Sequence, residues 1–87
     1  MPRNGQRMEG NEKNDLVSDQ NLAKLAREPY NTIDYWTERK ILICKRIGRK
    51  RLYSRTKNLP RIKLTRQRQN RGHSIEAILD EIRREGL

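Results

Sequence analysis

Ile41-Leu42-Ile43-Cys44-Lys45-Arg46-Ile47-Gly48-Arg49-Lys50-Arg51-Leu52-Tyr53-Ser54 is the stretch whose reading decides the fold. β-Branched residues precede Gly48 and a Leu-Tyr pair follows it. Gly48 can take the positive φ that a tight hairpin turn demands. The pattern predicts two short strands, about 43–46 and 51–53, with a basic tip. An isolated two-stranded hairpin is barely stable in water. It must lean on helices, and Leu52 is the expected anchor. Cys44 reads as a small strand residue. The tip carries Arg46, Arg49, Lys50 and Arg51, four cations within six residues. They repel one another unless an anion is near, which favours a binding surface over a plain solvated turn.

Upstream, Ser18 can cap a first helix, with Asp19 at the positive end of its dipole. Val17 and Leu22 have the spacing of a hydrophobic staple. Leu22, Leu25 and Ala26 are the expected buried face, and Pro29 the expected stop. A second helix is predicted over about 31–39, capped by Asn31, with Ile33 and Trp36 inward and Tyr35 outward. The short connection between the two fits a helix-turn-helix. Downstream, a third helix is predicted from near Pro60 to Gly72, with a thin apolar face of Leu59, Ile62 and Leu64. A fourth follows Ser74, where Ile75, Ile78, Leu79 and Ile82 keep helical spacing and Gly86 ends the helix. Residues 1–15 are polar and without periodicity, and read as a disordered arm ahead of one domain over 16–87.

The charge is local. The chain has 87 residues and a net charge of +10. No acid lies between Glu38 and Glu76, and 14 of the 21 Lys and Arg fall there. A one-signed block inside a patterned segment suits a polyanion. The size leaves little room for a catalytic cleft. No nucleophile–base pair, paired carboxylate site or phosphate-cradling glycine loop stands out, so no enzyme and no cofactor are expected. Glu76, Asp80 and Glu81 read as polar-face helix residues, and His73 as a turn residue. One Cys and one His make neither a disulfide nor a zinc site. No apolar run spans a membrane or forms a signal peptide, so a soluble, cytoplasmic protein is expected, on the nucleoid if its polyanion is DNA.

Helix, turn, helix, basic hairpin, helix, helix is the order of a mainly α winged helix-turn-helix. In that architecture the second helix enters the major groove of double-stranded DNA and its N-terminal side chains meet base edges. Here those are Tyr30, Asn31, Thr32 and Tyr35, with Arg39 at the far end. Asn31 either pairs with adenine or merely caps the helix. Tyr53 either donates to a phosphate or packs inward. Arg61, Arg66 and Arg68 either touch the DNA backbone or form a solvated face. An RNA-binding or ribosome-associated protein fits the composition equally well, but few aromatics are free for base stacking. An adaptor for an acidic protein is a third reading.

Three segments carry a resemblance. Residues 32–42, TIDYWTERKIL, are similar to the recognition-helix segment of MerR-type regulators, commonly written TLRYYEEKGLL. Arg51-Leu52-Tyr53-Ser54 matches that family's RLYS at the end of the wing, and residues 61–78 resemble its third helix, glycine turn and start of the fourth. The resemblance covers roughly residues 16–83. It implies four helices, a two-stranded wing over about 43–53, and promoter binding, with the Tyr35 position and the wing arginines on DNA phosphates. Asp34 departs from the family's usual arginine. It would either repel phosphate or bond a cation such as Arg46 or Arg49. The resemblance covers only that family's DNA-binding part, so the sequence reads either as a fragment of a longer regulator with a dimerising helix and effector domain or as a complete small protein. Self-association, cooperative neighbours on DNA, or an excisionase-like architectural role are the expectations that follow.

Overall fold

The structure is a computed structural model that describes residues 15–87. The arm expected over 1–15 therefore lies outside the described residues, apart from Asp15. The elements are β1 (Leu16–Ser18), α1 (Asp19–Ala26), α2 (Tyr30–Glu38), β2 (Cys44–Ile47), β3 (Lys50–Ser54), α3 (Arg55–Asn70) and α4 (Ile75–Glu85). Four helices and a small antiparallel sheet make a winged helix-turn-helix.

Local chemistry sets most of the boundaries. Ser18 caps α1 by accepting from the Asn21 amide at 3.2 Å. The helix stops before Pro29, because Arg27 adopts a left-handed φ of 59° and its N–H bonds back to Lys24. Pro29 then opens α2, its carbonyl accepting from Thr32 and Ile33. Asn31 is not the cap. It sits inside the first turn and is exposed. Ser74 caps α4 through the Ala77 amide at 3.1 Å, as its position implies.

The third helix departs most from expectation. It starts at Arg55, and Pro60 lies within it. Proline cannot donate to the carbonyl four residues back. Here that is Thr56, and both residues are exposed, so water can serve the carbonyl. The early start is held by three groups. Ser54 accepts from the Lys57 amide, and Asp15 accepts from the Thr56 amide at 2.9 Å. Asn58, fully buried, bonds the Ser54 carbonyl and both backbone groups of Ile43 at 2.8–2.9 Å. These bonds tie α3 to the approach of the wing.

The sheet has three strands, in the order β1-β3-β2. Two were expected; β2 lies one residue closer to the turn than predicted, and β3 extends one residue further at each end. Ile47 pairs with Lys50 across a two-residue loop, in which Gly48 has φ 64°. A positive φ at the first loop residue alone is the type II′ pattern, which matches strand twist. The third strand, β1, pairs Val17 with Tyr53.

Leu22, Ile33, Trp36, Ile41, Tyr53, Ile78 and Ile82 are almost fully buried and form the core. Two expected positions are corrected. Tyr53, not Leu52, anchors the wing, because side chains alternate along a strand and only one of the pair can face the helices. Leu25 is 51% exposed, and Ala23 takes its place beside Leu22.

Candidate nucleic-acid interface

The outward side of α2 and the wing are joined from within. The Arg51 guanidinium reaches from β3 to Asp34 at 2.6 Å and to Glu38 at 3.0 Å. Its side chain keeps only 15% of its exposure, and hydrogen bonding to Asp34 holds its charge more firmly than usual. One turn deeper, the Tyr53 hydroxyl meets that of Thr37 at 2.8 Å. Burial raises the Tyr53 pKa, so the phenol stays neutral. Asp34 thus bonds a cation, but the cation is Arg51 rather than Arg46 or Arg49.

The expected site residues fall into two groups. Tyr30, Asn31 and Tyr35 are exposed on α2, and Thr32 is half-buried beside them. Tyr30 donates to Asp19 at 3.2 Å, which raises the pKa of its phenol. Arg39 stacks 5.7 Å from the Tyr35 ring, donates to its hydroxyl at 3.3 Å, and pairs with Glu76 at 2.7 Å. That contact joins the end of α2 to the start of α4 and fixes the Tyr35 ring. Arg46, Arg49 and Lys50 are exposed at the tip with no acidic partner among the described residues. Arg51, Tyr53 and Arg61 instead face inward. Arg61 donates to the Ile41 carbonyl at 3.0 Å and to the Leu87 carbonyl at 2.6 Å.

The acid-free block is therefore not one surface. Arg66 grips Glu28, in the helix-turn-helix turn, through bonds of 2.5 and 3.0 Å, and lies 5.4 Å from the Trp36 ring. Arg68 holds Glu81 through two bonds of 2.7 and 2.8 Å. These arginines draw their acids from outside the block, 13 to 38 residues away in sequence. At such separations no local spacing reveals the pairs. What stays without an ion pair in the block, among the described residues, is the wing tip with Lys45, together with Lys40, Arg55, Lys57, Lys63 and Arg71, while Arg61 bonds only carbonyls.

A helix-turn-helix with a basic hairpin beside its second helix defines a class of DNA-binding regulators. The model of the family described as MerR HTH family regulatory protein matches residues 20–85, most of the chain. The chain belongs to that family and is a DNA-binding regulator. Neither the curated proteins nor the solved structures gave a match. No helix among the described residues is long and apolar enough to cross a membrane.

Proposed function

We propose that the chain binds double-stranded DNA sequence-specifically and regulates transcription from the bound site. The first turns of α2, with Tyr30, Asn31, Thr32 and Tyr35, enter the major groove. Arg46, Arg49 and Lys50 lie on the flanking backbone or minor groove, and Arg39 holds Tyr35 for a phosphate. Arg51, Tyr53 and Arg61 support that surface from within. The reading places the protein in the cytoplasm, on the nucleoid.

The observation that supports it best is the pair of contacts from Arg51 to Asp34 and Glu38. Two carboxylates on a helix facing DNA would repel its phosphates. Arg51 offsets both and couples the wing to the same helix, so the two elements meet DNA as one body. A single module of this kind buries roughly 600–1,000 Å² on DNA, the low end for specific binding. A second copy or a cooperative neighbour on adjacent sites supplies the rest.

The test starts with a bound duplex selected from a random pool. Arg49→Ala and Lys50→Ala each weaken all duplexes alike and each lower the log–log salt slope by about 0.9. Asn31→Ala changes which duplexes are recovered, whereas Tyr35→Phe, which removes a phosphate contact, weakens all duplexes alike. The reading fails if both sets of variants bind like the parent at low salt, or if structured RNA outcompetes the selected duplex.

A further inference from the structure

The sheet has two faces, and the proposed DNA contact uses the outer one only at Lys50, beside the turn. Tyr53 and Arg51 point from β3 toward the helices. Leu52 therefore points the other way, with its partners Lys45 on β2 and Ser18 on β1. The same alternation puts Leu16, Ile47 and Lys50 on this outer face. A groove of about 560 Å³ opens there, with Leu16, Ile43 and Leu52 in its floor and Lys45 and Lys57 at its rim. Ile43 and Ile47 are 45% and 55% exposed. Asp15 also reaches the groove, but its carboxylate is held by Ser54 and Thr56.

We propose that this outer face docks an extended, acidic segment of a partner protein through alternating aliphatic side chains, while α2 remains free. Three observations select that occupant. Lys45 and Lys57 make no ion pair among the described residues, so the groove attracts negative charge. The floor is aliphatic and offers no ring on which a base could stack, which disfavours nucleic acid. β2 pairs with β3 alone among the described residues, so its other edge is open to an added strand. A second copy is disfavoured, because Lys45 of each would meet at the shared edge, the arrangement by which edge lysines block self-pairing.

The probe is a fluorescein-labelled synthetic peptide, Asp-Leu-Glu-Val-Asp-Leu-Glu. One control replaces its acids by lysine, and another replaces its aliphatic residues by serine. Binding is followed by anisotropy and by amide NMR shifts on the intact chain. The acidic aliphatic peptide is expected to bind with Kd at or below about 1 mM. It should shift the amides of Leu16, Ile43, Lys45, Leu52 and Lys57 and leave Asn31 and Tyr35 still. The double change Lys45→Glu with Lys57→Glu, both exposed, should weaken it at least tenfold with an unaltered thermal melt. The proposal is overturned if the acidic aliphatic peptide fails to bind at millimolar concentration. It is overturned equally if the serine control binds as well, or if the shifts fall on α2. Concentration-dependent self-association through these amides would assign the face to a second copy. Shifts of the same amides by duplex DNA would assign it to DNA. Either would also overturn the proposal, and neither bears on whether α2 binds DNA.

Discussion

Arg51→Ala is the sharpest single perturbation of this molecule. The residue makes two charge-assisted bonds, of 2.6 and 3.0 Å, to carboxylates that remain 45% and 61% exposed. A charge-assisted hydrogen bond contributes about 1.5–3 kcal/mol when sheltered, and an exposed ion pair about 0.2–1 kcal/mol. Partners half in water place this pair of bonds nearer the lower range, about 1–2 kcal/mol in sum. Asp34 and Glu38 stand four residues apart on one helix, and their repulsion adds about 0.3 kcal/mol once the guanidinium is gone. Arg51→Ala should therefore lower Tm by about 5–18 °C, at about 4–8 °C per kcal/mol for a domain of this size. A thermal melt measures the shift, and urea unfolding followed by Trp36 fluorescence measures the free energy. Asp34→Ala should cost less, because Glu38 keeps its bond. The double variant should show a coupling of about 1 kcal/mol. Coupling below about 0.3 kcal/mol would refute the claim that Arg51 is an internal tie. On DNA, Asp34→Ala should tighten binding to all duplexes alike, since it removes a carboxylate from the helix that faces the phosphates.

Asn58→Ala should cost about 2–3 kcal/mol in the same urea assay, since three hydrogen bonds at a fully buried position are lost and the Ile43 backbone loses its partner. Lys40→Gly should stabilise the fold by about 1 kcal/mol, because Lys40 holds a φ of 70° that costs an L side chain energy and glycine none. The acid limb of stability follows from Asp15, Glu76 and Glu81. Hydrogen bonds from Ser54 and Thr56 lower the Asp15 pKa below its ordinary 3.8. The helix-end amide with Arg39, and Arg68, lower Glu76 and Glu81 below 4.5. Depressed native values mean that stability is complete above about pH 5 and declines as pH falls through 4 and below. Melts from pH 7 to 2.5 measure this, and a Tm that holds level to pH 2.5 would contradict it.

The parts of the fold visible in the sequence are those set by short-range chemistry. Ser18 and Ser74 cap their helices through amides three residues on, and Ile78 and Ile82 keep strict helical spacing. Gly48, Gly72 and Gly86 all take positive φ at turns or helix ends. What stayed hidden depends on contacts distant in sequence. β1 has three residues, too few to show alternation, and exists because β3 offers an edge. The start of α3 at Arg55 rests on Asp15, Ser54 and Asn58, none of which outweighs Pro60 in a local reading. Leu52 and Tyr53 are adjacent, so one residue of register decides which is buried, and the sequence carries no marker of register. The basic block was legible as a total but not in its division. Arg51, Arg61, Arg66 and Arg68 look like Arg46 and Arg49 until their partners are placed.

That division has a practical outcome for solution work on this domain. Dissolved ions compete with Arg51, Arg66 and Arg68 for their carboxylates in the same titration in which they displace the wing from phosphate. A plot of affinity against ionic strength will then be steeper than its true number of phosphate contacts.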